Sequence, residues 1–152
     1  MTELKRILLV EDSANDVALI LAAFAEINLA NEVVVVHDGQ AAVDYLFRTG
    51  AYAERDTELP IVVLLDIKLP KLDGVEVLAR LKSDPTLKML PVVMLTSSRE
   101  DRDVVRSYGL GVNAYVVKPV EFSQFVAALK EIGLFWAVVN HPPPATIRDP
   151  LT

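Results

Sequence analysis

Apolar residues gather in five short runs along the chain, at 7–10, 33–36, 61–65, 92–95 and 114–117, rich in Val, Ile and Leu and each the length of a β-strand. Between and after them the apolar positions spread to helical spacing, as in Val17, Ile20, Leu21, Phe24 and Ile27 or in Val75, Val77, Leu78 and Leu81. That spacing predicts amphipathic helices laid over a sheet. The punctuation agrees: Ser13, Asp73 and Ser98 can cap helix N-termini, Asp84-Pro85 closes one helix, and Gly109 can cap the end of another. Strands alternating with helices imply a parallel sheet with right-handed crossovers. The first, third and fourth runs are continuously apolar, as strands covered on both faces must be. The fifth contains Tyr115, is followed by Lys118, and suits an edge.

An open α/β sheet of five strands with helices on both faces has one common solution at this size, the doubly wound flavodoxin-like (βα)5 arrangement with strand order 2-1-3-4-5. Its topological switch point lies between the first and third strands, and ligands of such sheets bind at the carboxyl ends of the strands. The residues just after Val10 and Leu65 are therefore where chemistry is expected. Two segments exceed the minimal plan: a long polar connection at 48–60, and a tail at 140–152 carrying Pro142, Pro143, Pro144 and Pro150. The tail is expected to be extended and non-helical, which divides the chain into a folded domain, 1–139, and a proline-rich tail, 140–152.

Composition narrows the function classes. With 152 residues, 52% of them hydrophobic, the chain fills one core but not comfortably two. Acids outnumber bases 21 to 15, a formal charge of −6, which argues against a general nucleic-acid binder. The absence of cysteine excludes disulfides, thiolate metal sites and a cysteine nucleophile. The polar start at 1–6 precedes an apolar run too short for a signal peptide or a membrane span. A cytoplasmic protein with neither nucleic acid nor membrane as a partner is expected.

The strand ends carry the chemistry. Glu11 and Asp12 follow the first strand and Asp66 ends the third, so three carboxylates converge at the switch point. Like charges at close range would drive some of them to take up protons, and a hard divalent cation removes the conflict. Magnesium, which prefers oxygen ligands and works beside phosphate, fits better than zinc, for which no Cys or His cluster exists. Either Asp alone would read as a helix cap or a loop acid; the three together do not. Thr96, with Ser97 and Ser98 after it, ends the fourth strand, and Lys118-Pro119 follows the fifth. A carboxylate, a divalent metal, a hydroxyl donor and a Lys are the parts that form and hold an aspartyl phosphate.

At these residues the sequence resembles the receiver domain of two-component response regulators. The resemblance runs from Arg6 to about Phe135. It rests on Leu9-Val10-Glu11-Asp12, on Leu65-Asp66-Ile67-Lys68-Leu69-Pro70 leading into Asp73-Gly74, on Leu95-Thr96-Ser97, and on Ala114-Tyr115-Val116-Val117-Lys118-Pro119, with 30 positions from Asp66 to Thr96 and 22 from Thr96 to Lys118. It implies that Asp66 is the phosphoacceptor, Asp12 a direct magnesium ligand, Glu11 a ligand through water, and Lys68 a backbone-carbonyl ligand. It further implies that Thr96 and Lys118 hold the phosphoryl group, that Tyr115 is the switch aromatic, and that Lys118-Pro119 is a cis peptide bond. Phosphorylation adds roughly −1.5 to −2 charges, which is expected to draw Thr96 inward and switch a surface around the fourth predicted helix, the fifth strand and the fifth predicted helix. Self-catalysed phosphotransfer and dephosphorylation would reset the switch, so the chain is read as a phosphoacceptor rather than an enzyme.

The ending of the chain, the loop at 48–60 and the single-domain form resemble the regulators paired with bacterial and cyanobacterial phytochromes, which implies a phytochrome-type sensor histidine kinase as phosphodonor. The apolar stretch at 134–139 follows a helix already carrying Phe122, Phe125, Val126, Leu129 and Ile132 at core spacing. It is read either as a last turn tucked against the body or as a homodimer interface involving Trp136, in the region of the fourth helix, fifth strand and fifth helix. His37 and His141 are given no role. Three other readings compete with the receiver: a magnesium-dependent phosphohydrolase that forms an aspartyl phosphate, a flavin or nucleotide carrier on the same fold, and an inactive receiver-like scaffold. The first would want Asp-x-Asp after strand one, where the chain has Glu11-Asp12-Ser13-Ala14, the second would want a Gly- or Ser-rich phosphate loop there, and the complete residue set opposes the third.

Overall fold

The computed structural model describes residues 6–26, 31–97, 109 and 111–131. Five parallel strands, β1 (Ile7–Val10), β2 (Val33–Val36), β3 (Val62–Asp66), β4 (Val92–Thr96) and β5 (Ala114–Val117), form one sheet in the order β2-β1-β3-β4-β5, the predicted order with β5 at an edge. The described helices are α1 (Ala14–Glu26), α2 (Gly39–Phe47), α3 (Gly74–Lys82) and α4 (Phe122–Glu131). The last is the fifth of the sequence-predicted helices. The helix expected after Ser98, the stretch at 134–139 with Trp136, and the tail with His141 lie outside the described residues, although Gly109 has the left-handed φ of +67° that a C-terminal cap takes.

Strand alternation builds two core layers. Ile7 and Leu9 of β1, Val62 and Leu64 of β3, and Val93 and Leu95 of β4 pack with Ile20 and Phe24 of α1 and Phe125 and Leu129 of α4. Leu8 and Val10, Val63 and Leu65, and Val92 and Met94 pack with Leu46 of α2 and Val77, Leu78 and Leu81 of α3. The rings of Phe24 and Phe125, 4.5 Å apart between centroids, join α1 to α4 on the first face. Because β1, β3 and β4 bury every residue on both faces, a polar side chain can meet solvent only at their ends, and the sheet register brings those ends level. Val10 pairs with Leu65, Asp66 with Leu95, and Thr96 with Val117.

Local chemistry fixes the helix starts at that edge. The Ser13 hydroxyl accepts from the Asp16 N–H at 3.2 Å, and the Asp73 carboxylate accepts from the Glu76 N–H at 2.9 Å, as their cap positions predict. Asp38, which the sequence reading passed over, caps α2 through the Ala41 N–H at 2.7 Å. The connection at 48–60 is polar but built. Its Gly50–Tyr52 turn sets Tyr52 edge-on to Tyr45, while the Arg55 guanidinium lies 4.2 Å over the Tyr45 ring and donates to the Tyr45 carbonyl at 2.6 Å. Arg6 clamps Asp56 at 2.7 Å just ahead of β1, at the end of the sheet opposite the carboxylates.

Candidate functional site

Each polar group at the carboxyl edge is placed by the strand before it. The Glu11 N–H bonds the Val36 carbonyl at 3.0 Å, the Ile67 N–H bonds Leu95 at 3.2 Å, and the Lys118 N–H bonds Thr96 at 2.8 Å, so the ladder carries one step beyond each apolar run. Glu11 is fully buried, Asp66 nearly so, and Asp12 is exposed; a carboxylate oxygen from each lies within 4.8 Å of the other two. Thr96 is buried at the end of β4, next to Ser97, which opens to solvent. The Lys118–Pro119 bond is cis, as the resemblance implied.

Lys118 ties the carboxylates together. Its Nζ lies 2.9 Å from Glu11 Oε1, 3.1 Å from Asp66 Oδ2 and 3.0 Å from Asp16 Oδ2. Burial works against the charge on Lys118, but the facing carboxylates Glu11, Asp16 and Asp66 outweigh it and hold the ammonium above the ordinary lysine range. Burial also dominates at Glu11 and pushes its carboxyl up. Nearby Asp66 pushes the same way, while Lys118 and the Ser13 N–H, 3.2 Å from Glu11 Oε2, pull it down. The two partners of one contact thus shift by different causes: Glu11 loses all its water, whereas Lys118 keeps a solvent-facing side and has three counter-charges.

The remaining predicted residues divide. The Lys68 backbone N–H reaches back to Asp66 Oδ1 at 3.4 Å, which folds the loop after β3 around the carboxylate. A depression of about 440 Å³ beside Asp66 is lined by Asp16, Asp66, Lys68, Ser97, Lys118 and Pro119. Tyr115 is half-buried on β5 against the α2–α3 layer and does not line that depression. Asp16 escaped the sequence reading, although Ser13 as cap and the four-residue step from Asp12 put its carboxylate one helical turn along the same edge. His37, given no role, has its Nδ1 3.2 Å from the Glu11 carbonyl. A larger groove of about 670 Å³ between α2 and α3 includes neither the acid cluster nor Lys118. The edge of the sheet, not this groove, is where charge converges.

This edge on this fold defines a receiver, and the comparisons agree. The profile of response regulator receiver domains matches residues 7–130, so the chain belongs to the response regulator receiver family of two-component systems. Among solved structures it is similar to the bacteriophytochrome response regulator RtBRR (57% identity, TM-score 0.85, covering 96% of this chain and 88% of that one). It is equally similar to the bacteriophytochrome response regulator AtBRR (58% identity, TM-score 0.85, covering 92% of this chain and 100% of that one). Response regulator Rcp1 of Synechocystis sp. (strain ATCC 27184 / PCC 6803 / Kazusa) is 40% identical over 87% of this chain and 88% of its own length. The solved Mn(2+)-bound form of Rcp1 has a TM-score of 0.70 to this chain and covers 91% of it and 99% of Rcp1. No described helix is long and apolar enough to cross a membrane.

Proposed function

We propose that the chain is a response regulator that accepts a phosphoryl group on Asp66 from a phytochrome-type sensor histidine kinase. The observation that carries this is the Lys118 ammonium 3.1 Å from Asp66 Oδ2, within a carboxylate cluster that also contains Glu11 and Asp12. An Asp66 oxygen attacks the phosphorus of a phosphohistidine, an O–P bond forms, and the P–N bond breaks with its electron pair left on the imidazole nitrogen. Lys118 balances charge on the phosphoryl oxygens while the Thr96 hydroxyl donates to one of them. Water attacking the same phosphorus later breaks the O–P bond, releases inorganic phosphate and restores the carboxylate. The chain acts as a switch, not as an enzyme on a separate substrate.

The donor set consists of hard carboxylate oxygens without His or Cys, which fits magnesium. Glu11, Asp12, Asp66 and the Lys68 carbonyl would hold it, and it would supply positive charge to offset the carboxylates and the transferring phosphoryl oxygens. Modification of Asp66 draws Thr96 inward and moves Tyr115 and Pro119 with β5, which changes the surface offered to a protein partner or to a second copy of the chain. The reading takes 1–139 as the receiver and 140–152 as its tail, in the cytoplasm, with no nucleic acid or membrane as partner. The phytochrome donor rests on the identity of 57–58% to two bacteriophytochrome regulators. A test is phosphotransfer from a panel of autophosphorylated sensor kinases with magnesium present. A phytochrome-type kinase is expected to react fastest, with transfer lost in Asp66→Asn or after chelation. Faster transfer from an unrelated sensor would defeat the choice of donor, and undiminished acid-labile labelling of Asp66→Asn would defeat the site.

A further inference from the structure

The charged residues that line the depression beside Asp66 are Asp16, Asp66, Lys68 and Lys118. Asp66 attacks, Lys118 balances the phosphoryl oxygens, and Lys68 is exposed, so that water and salt screen its charge. Asp16 has no part in that scheme. Its Oδ2 is fixed 3.0 Å from Lys118 Nζ, which is itself 3.1 Å from Asp66 Oδ2, so these two carboxylate oxygens stand no more than two hydrogen-bond lengths apart. Asp16 Oδ1 accepts no hydrogen bond among the described residues. The Asp16 side chain is 30% exposed and that of Asp66 8%, which puts Asp66 on the floor of the depression and Asp16 at its rim. In an in-line transfer the attacking and leaving atoms lie on opposite sides of phosphorus. With the attacking oxygen on the floor, the leaving group departs towards the rim.

We infer that Asp16 selects the phosphodonor: its Oδ1 accepts an N–H from the leaving group and so favours nitrogen-linked phosphoryl donors over acyl phosphates. The inference rests on Asp66 as the phosphoacceptor. Phosphohistidine protonated on its second ring nitrogen, or the phosphoramidate monoanion, brings N–H groups to the rim. As the O–P bond to Asp66 forms, the P–N bond breaks with its electron pair passing to nitrogen, and imidazole or ammonia leaves neutral, with an N–H for the carboxylate to accept. An acyl phosphate brings no N–H. Its P–O bond breaks with the pair passing to oxygen, and a carboxylate anion must leave past the like charge of Asp16. The contact with Lys118 stays in place throughout, fixing Oδ2 and leaving Oδ1 to the donor.

The test is the rate of labelling by phosphoramidate and by acetyl phosphate, in magnesium, of the full chain and of Asp16→Asn and Asp16→Glu. Asp16→Asn is expected to label about fivefold more slowly with phosphoramidate, the factor that a partly exposed charged contact supports, while its rate with acetyl phosphate holds or rises. Asp16→Glu, which keeps the charge, is expected to recover most of the phosphoramidate rate. An equal fall with both donors in Asp16→Asn would mean that Asp16 only positions Lys118, and a gain with both that it only repels anions; either result, or an unchanged phosphoramidate rate, overturns the inference and leaves Asp66 in place. A wild type that takes no label from either donor overturns the reading of Asp66 and this inference with it.

Discussion

Lys118 is the residue on which the edge depends. Its raised pKa has a definite sign for stability: the contribution is fully present below the ordinary lysine value of about 10.4 and is lost only as pH rises through the higher folded value. Replacing it by Met leaves Glu11 buried without the contact that lowers its pKa. The native state of Lys118→Met then binds a proton more readily than the unfolded chain, so its stability rises as pH falls towards the ordinary carboxylate range. Urea unfolding without divalent metal is expected to show a loss of roughly 3 kcal/mol at pH 8, shrinking towards pH 5; a pH-independent deficit would contradict the electrostatic account. Much of this cluster was legible in the sequence, because Glu11, Asp12, Asp66 and Lys118 follow apolar runs whose alignment the parallel fold dictates. Asp16 was not, since a carboxylate in a first helical turn is ordinary until the folded chain sets Lys118 Nζ 3.0 Å from it.

The loop from β3 into α3 shows what sequence patterning sees and what it misses. The apolar run at 61–65 starts one residue ahead of β3 (Val62–Asp66), while Asp66 and Thr96, read from the sequence as the ends of the third and fourth strands, do end β3 and β4 one step beyond the apolar runs. In both strands a polar residue continues the ladder because its backbone still pairs, which apolarity cannot report. Gly74 has a role of the same kind. Its N–H bonds the Ile67 carbonyl at 2.7 Å, and a Cβ there would run into the Asp66 carbonyl oxygen and lie 2.8 Å from Ile67 Cα. The start of α3 thus rests directly on the backbone that carries Asp66. Gly74→Ala is expected to cost about 2 kcal/mol in urea unfolding and to slow labelling of Asp66 by displacing the strand end; an unchanged midpoint with unchanged labelling would show that this close approach does not matter. The connection at 48–60 lies at the other extreme: its length and polarity were plain, but its packing on Tyr45 through Tyr52 and Arg55 depends on long-range contacts that no local pattern encodes.

As one body, the chain concentrates its chemistry where five strands stop. Its two core layers are ordinary packing, and the order 2-1-3-4-5 is the common solution for strict alternation at this size and also what the receiver resemblance implies, which is why the fold could be read from the sequence. The net charge of −6 acquires a local meaning: three acids gather at the switch point, where a divalent cation would offset them, and a fourth, Asp16, shares Lys118 with Glu11 and Asp66. The family match covers this machinery at residues 7–130. The most direct test of Asp66 as acceptor is chemical mapping after labelling with acetyl phosphate in magnesium, since borohydride reduces an aspartyl phosphate to homoserine. Mass spectrometry of the digested chain is expected to find homoserine at position 66 and nowhere else; homoserine at another Asp, or none in a chain that carries acid-labile phosphate, would contradict the account.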